Sequence, residues 1–126
     1  MAAYDSALFT PPAPLARIVL LHPETGATVE NVPMLLDTGA DATLIPRAIA
    51  LQIGATPEPD RTYQLEGFDG SISSFEVVQV HMAFLRRTFR GRFLLIDQEW
   101  GLIGRDILNH VSIRFDGPQL IWTEHR

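Results

Sequence analysis

Short runs of β-branched and aliphatic residues, each closed by a turn containing glycine or proline, follow one another down almost the whole chain. No other feature limits the fold as much, because this spacing admits many short strands but only helices of one or two turns. Ala16–His22 and Thr28–Leu36 flank Pro23-Glu24-Thr25-Gly26 and read as a hairpin. Thr62–Leu65 and Ile72–Val80 flank Glu66-Gly67-Phe68-Asp69-Gly70-Ser71, a second hairpin whose glycines and aspartate suit a mobile tip. Further strands are expected over Val77–Leu85 and Phe89–Ile96, then over Val111–Phe115 and Gln119–Thr123 around an Asp116-Gly117-Pro118 turn. Pro46 and Gly54 bracket a short helix over Arg47–Ile53, and Asp106–His110 reads as a helical turn or two. Pro11, Pro12 and Pro14 exclude a helix or a central strand over residues 1–16, although Ala7–Thr10 suits an edge strand. The expected class is all-β, without a solenoid repeat.

At 126 residues the chain has the length of one domain, and 46% hydrophobic with 20% charged residues is a globular balance. A formal charge of -5 argues against a nucleic-acid partner. Arg86, Arg87, Arg90 and Arg92, interrupted by Phe89 and Phe93, read as solvent-facing strand residues. The absence of cysteine excludes a disulfide framework and a thiolate zinc site, and agrees with a reducing compartment. No basic leader with an apolar core and no run of membrane-spanning length is present, so a cytoplasmic protein with no membrane partner is expected. His22, His81, His110 and His125 lack metal-ligand spacing, and no serine sits in a nucleophile elbow. Neither a metal nor another cofactor is expected.

Two motifs carry the chemistry. Leu35-Leu36-Asp37-Thr38-Gly39 ends an apolar strand in an aspartate, a threonine and a glycine. Asp37 is either an ordinary strand-end turn aspartate or a carboxylate held at the edge of the core for acid–base work, and the tripeptide alone does not choose. Gly39 is expected to supply backbone freedom or close approach. Leu102-Ile103-Gly104-Arg105-Asp106 is, read blandly, a strand-to-helix junction with a capping arginine.

Taken together, in this order and with a glycine-tipped hairpin between them, the motifs resemble those of the retropepsin-like aspartic proteases. The likeness runs from about Ala16 to the C-terminus and is most specific in Leu35-Leu36-Asp37-Thr38-Gly39-Ala40-Asp41 and Leu102-Ile103-Gly104-Arg105-Asp106. It implies a single-lobe, β-barrel-like acid-protease domain over residues 16–126 with a flap hairpin and one or two short helices. Residues 1–15 would precede it as a proline-rich segment able to act as a dimer-interface strand. By the same resemblance Asp37 is the catalytic aspartate, Thr38 braces the active-site loops across a dimer axis, and the Gly39 carbonyl meets the substrate backbone. Ala40 and Asp41 contact substrate, Asp41 pairs with Arg105, and Gly104 and Arg105 support the site. Gly67 and Phe68 belong to the flap that closes over bound peptide. Ile103, Leu36 and Ile45 are pocket-lining or core residues, with core the commoner fate of aliphatics. The flap departs from the family in having fewer glycines and in carrying Glu66 and Asp69, and the chain continues one strand further than usual.

Peptide hydrolysis by this route uses two carboxylates that share a proton. Asp-Thr-Gly occurs once here, and Asp69-Gly70-Ser71 and Asp116-Gly117-Pro118 are turns. A single copy implies a two-fold homodimer with Asp37 and its mate at the axis. The expected activity is that of an aspartic endopeptidase acting on extended peptide. The alternative is a silent dimerisation or peptide-binding module of the same fold.

Overall fold

The computed structural model describes residues 1–125. The strands are β1 (Ala2–Asp5), β2 (Ala13–Leu21), β3 (Thr28–Leu36), β4 (Leu44–Pro46), β5 (Thr62–Glu66), β6 (Ile72–Phe84), β7 (Arg87–Ile96), β8 (Gly101–Ile103), β9 (Ile113–Asp116) and β10 (Ile121–Glu124). Two short helices, α1 (Arg47–Gln52) and α2 (Arg105–Leu108), complete it. The strands join in the order β5-β6-β7-β4-β8-β3-β2-β1-β10-β9, and an added β6–β2 pairing closes β2, β3, β8, β4, β7 and β6 into a ring. The domain is therefore all-β, single-lobed and barrel-like, as its turn spacing and its motifs led one to expect.

β6 explains how the β5–β6 hairpin grows from this ring. It is one continuous strand where the sequence suggested two overlapping ones. Its second half pairs with β7 and β2 in the barrel wall, while its first half pairs with β5 beyond the wall. A two-residue turn joins β6 to β7, with Leu85 and Arg86 both at positive φ (53° and 61°), the backbone that fits a tight hairpin. Arg86, Arg87, Arg90 and Arg92 are all exposed, as their pattern suggested.

β4 was not foreseen, and β8 only as the strand half of a strand-to-helix junction, because a three-residue strand carries too little pattern to read. Tertiary pairing makes them strands. β8 lies parallel to β3, with Leu35 beside Leu102 and Leu36 beside Ile103, and β4 lies parallel to β7. Parallel pairing of β3 with β8 brings the residues that follow each strand, Asp37 and Gly104, to the same end of the barrel.

The proline-rich start also differs from expectation. Residues 7–10 form no strand; instead Phe9 packs edge-on against Trp100 at 4.8 Å between ring centroids. The strand is Ala2–Asp5, and it sits between β2 and β10 rather than at an edge. Pro14 is tolerated in β2 because of where the hydrogen bonds fall. The Tyr4 N–H donates to the Leu120 carbonyl on β10, so Tyr4 turns its backbone away from Pro14, its register partner on β2. The missing proline N–H is not needed there.

The main core gathers Ile18, Leu20, Met34, Ile45, Met82, Leu95 and Ile103, all under 2% exposed. A smaller cluster of Leu44, Val77 and Leu94 lies toward the β5–β6 hairpin, with Ala42, Leu65, Phe75 and Leu102 packed on it. Among the described residues no helix is long and apolar enough to cross a membrane.

Candidate active site

Asp37 is the first residue after β3, and the barrel fixes it from the backbone outward. Its N–H donates to the Ile103 carbonyl at 3.0 Å, and its own carbonyl accepts from Ala40 at 3.2 Å. Its carboxylate Oδ1 accepts the Gly39 N–H at 2.9 Å. The half-buried carboxylate thus has one oxygen oriented by the loop, while Thr38 and Gly39 are exposed. The Thr38 hydroxyl has no partner among the described residues. Gly39 does not adopt positive φ, so backbone freedom is not its role; a Cβ there would stand 3.2 Å from Asp37 Oδ1. Glycine keeps the face of the carboxylate clear.

Arg105, opening α2, clamps this loop from the opposite strand end. Its N–H donates to the Ala40 carbonyl at 2.9 Å, and its Nη1 donates to the Thr38 carbonyl at 2.7 Å. Nη2 pairs with the Asp41 carboxylate. The guanidinium holds a carbonyl and a carboxylate through two separate nitrogens in one rigid plane, a geometry that a lysine ammonium does not offer. Gly104 is glycine because of close approach: a Cβ there would meet the Ala42 and Ala40 carbonyl oxygens at 2.6 and 2.9 Å.

Beneath lies a support that the sequence did not reveal. Thr43 is wholly buried, donates its hydroxyl to Asp106 Oδ1 at 2.6 Å, and accepts the Gly104 N–H at 3.1 Å. The Thr43 N–H donates to Asp106 Oδ2 at 3.0 Å, and the Ile107 N–H donates to Asp106 Oδ1 at 3.0 Å. One carboxylate and one hydroxyl therefore tie both motifs together. Nothing in the local sequence marks Thr43, since its partner is distant in sequence; the only signal was an acid following Gly104-Arg105.

The structure unites Asp37, Thr38, Gly39, Ala40 and Asp41 with Gly104 and Arg105 in one hydrogen-bonded unit. Ile103 reaches it by its backbone only. The Ile103 side chain is 0% exposed and packs in the main core with Leu36 and Ile45, so of its two expected fates it takes the core. Strand alternation sends its neighbour Leu102 to the opposite face, in the smaller cluster with Leu65 and Phe75.

Gly67 and Phe68 sit at the tip of the β5–β6 hairpin, apart from this unit. The tip closes on itself: Gly67 N–H donates to the Ser71 carbonyl at 2.8 Å, and Asp69 Oδ1 accepts the Ser71 N–H at 2.9 Å and hydroxyl at 2.6 Å. These bonds, the Ser71 hydroxyl first, hold the Asp69 carboxyl below the usual aspartate value. Phe68 is fully exposed. A depression of about 950 Å³ lies elsewhere, lined by Tyr4, Leu15, Phe84 and Trp122, and none of the Asp37 unit borders it.

The family model of the aspartyl proteases matches residues 25–107, a span that holds both motifs and the β5–β6 hairpin. The chain belongs to the aspartyl protease family. Among solved structures it is similar to the EIAV protease complexed with the inhibitor HBY-793, at 24% identity and a TM-score of 0.56, over 78% of this chain and 86% of that one. That likeness establishes a retropepsin-like fold for this aspartyl protease. Comparison with curated proteins gave no match.

Proposed function

We propose that the chain is an aspartic endopeptidase that cleaves extended polypeptides with two Asp37 carboxylates, one from each subunit of a homodimer. The observation that carries this is the Asp37 loop itself: a carboxylate with one oxygen oriented by Gly39, set on the Arg105 clamp, and present once. Thr38 supports the shared site, because its hydroxyl is exposed, lacks a partner and stands next to the carboxylate, free to bond across an axis.

In this reading the two carboxyls share one proton, since like charges about 3 Å apart do not both ionise. The ionised one takes a proton from a water molecule as that water attacks the peptide carbonyl. The other donates its proton to the carbonyl oxygen. Collapse of the tetrahedral species returns a proton to the departing nitrogen, and the pair is restored. The Gly39 carbonyl and the backbone around Ala40 and Asp41 receive the substrate main chain as an added strand, and Gly67 and Phe68 close from above. Leu102 lines a side-chain pocket, while Arg105 and Gly104 hold the loop in place. No metal or other cofactor takes part, and the cysteine-free chain suits the cytoplasm.

Asp37→Asn tests the mechanism. It is expected to keep the fold by circular dichroism and to lower kcat on a library peptide by about 10³-fold or more. Unchanged cleavage by the purified variant would sink the aspartic mechanism and leave a binding module of the same fold.

A further inference from the structure

All ten cationic side chains of the chain are arginines, and their partners divide them. Arg47, Arg61, Arg92 and Arg105 pair with acids. Among the described residues Arg17, Arg86, Arg87, Arg90 and Arg114 form no ion pair; Arg87 donates only to the His110 carbonyl, at 2.6 Å. Three of these five meet at one place. Arg17 and Arg86 border the depression of about 950 Å³, and Arg86 and Arg87 border a second one of about 660 Å³ with His110 and His125. The two depressions share Leu85 and Arg86, so they make one groove across the turn between β6 and β7. β2 runs antiparallel to β6 with Val19 beside Ala83, which carries Arg17 toward that turn.

Of the fifteen acids only Asp5 and Glu124 border this groove, and both are engaged: Asp5 Oδ2 accepts the Leu8 N–H at 2.6 Å, and Glu124 has a partner of its own. A chain of net charge -5 thus turns a local cationic surplus outward. Leu15, Phe84 and Trp122 are buried side chains that form an apolar floor, while Arg17, Arg86 and Arg87 stand exposed at the rim. The Trp122 Nε1 donates to the Leu15 carbonyl at 3.1 Å, so the floor needs nothing polar from an occupant. The turn supplies a second observation. Leu85 and Arg86 hold positive φ, where Asn and Gly are the usual residues because a Cβ is strained there. The strained pair sits where the two depressions meet and gives the groove its central apolar group and its central cation.

We propose that this groove binds an acidic segment of a polypeptide, seating an apolar side chain over Phe84 and Trp122 and carboxylates against Arg17, Arg86 and Arg87. A guanidinium offers parallel N–H donors that match a carboxylate, and none of these three is committed to an acid of the chain itself. The depressions follow one another across the turn, which suits an extended chain with acids on both sides of an apolar residue better than a lone anion. A nucleic acid is disfavoured, because the surplus is local and the chain as a whole carries -5. The groove and the Asp37 unit share no residue, so this binding stands or falls apart from the proposed proteolysis.

The full chain carrying Asp37→Asn is the host for the test, since a peptide probe stays intact on it whether or not the wild type cleaves. The probe is a peptide that alternates glutamate with phenylalanine and leucine and bears a neutral fluorophore. Fluorescence anisotropy is expected to show saturable binding that weakens with added salt. No binding up to millimolar peptide overturns the proposal. The same peptide with glutamine in place of glutamate is expected to bind about tenfold more weakly, and equal binding overturns recognition by charge. Arg86→Glu is expected to weaken the glutamate peptide about tenfold and Arg17→Glu to weaken it further, whereas Arg90→Glu, at an exposed arginine outside the groove, is expected to change it less than about twofold. Losses that are equal at Arg86 and Arg90, or absent at both, overturn the groove as the site. An oligouridylate that displaces the peptide at lower concentration than the unlabelled peptide does overturns a polypeptide as the occupant.

Discussion

The Asp37 loop and the tip of the β5–β6 hairpin are both tight turns at strand ends, yet they are held in opposite ways. The loop at residues 37–41 takes its anchors from far along the chain: the Ile103 carbonyl, the Arg105 backbone and guanidinium, and the Thr43–Asp106 pair beneath. Among the described residues the hairpin tip at 67–71 bonds only to itself, through Gly67, Asp69 and Ser71. Opening the loop means breaking contacts of the barrel, whereas the hairpin tip can open without it. The proposed function would use that division, since the carboxylate would keep its geometry while the hairpin admits and releases a polypeptide.

The sharpest way to break the comparison is to strain the clamp. Gly104→Ala drives a Cβ against two backbone carbonyls that cannot move aside. It is expected to cost about 1–3 kcal/mol, and thermal melting should fall by roughly 4 °C or more. An alanine at Gly67, where the near neighbours at 3.2 Å are the side-chain oxygens of Asp69 and Ser71, should leave the melting point almost unchanged. Equal losses at the two sites would end the contrast.

Thr43→Val removes the hydroxyl that binds both Asp106 and the Gly104 N–H. A loss of about 1–3 kcal/mol is expected in urea unfolding, because a buried N–H and a partly buried carboxylate oxygen lose their partner. Activity should fall with it, since the same contact sets the position of the Asp37 loop. Arg105→Lys is predicted to separate stability from function. The Arg105–Asp41 pair is substantially exposed, at 43% and 74%, so its loss should cost no more than about 1 kcal/mol. The fork to Thr38 is lost as well, and kcat should drop about tenfold while KM moves less.

The smallest effect belongs to the flap. Asp69 is held below the ordinary aspartate value by the Ser71 hydroxyl and N–H. A depressed carboxyl stabilises its surroundings above the unfolded value and loses that effect as pH falls through the folded one. Tip order, followed by the Ser71 amide resonance, should therefore persist to a lower pH than an unperturbed aspartate would allow. Ser71→Ala is expected to move the loss upward in pH without changing global melting.

How much of this was legible in advance follows from the range of each interaction. The β2–β3 and β5–β6 hairpins and both helices could be read because their turns are local. β4 could not, and β8 only as one side of a strand-to-helix junction, since three residues become a strand only when β7 or β3 lies beside them. The Asp37 and Arg105 motifs were visible as strings. Thr43 was not, because a buried hydroxyl gains its meaning from Asp106 across the fold. Ile103 was read as pocket-lining or core from its place in a motif, and only the alternation along β8 shows that it enters the main core while Leu102 takes the opposite face. β1 was hidden by the prolines that follow it, since only the hydrogen-bond phase of β10 shows that Pro14 needs no N–H toward β1.

The sequence by itself determined the class and the two motifs. One Asp-Thr-Gly at the end of an apolar strand names the candidate carboxylate, and a turn every few residues forces short strands to close on one another. Tertiary structure alone decided which groups hold that carboxylate's loop and which aliphatic of β8 enters the main core. These depend on register and hydrogen-bond phase, which arise when distant strands pair and are written in no single segment of the chain.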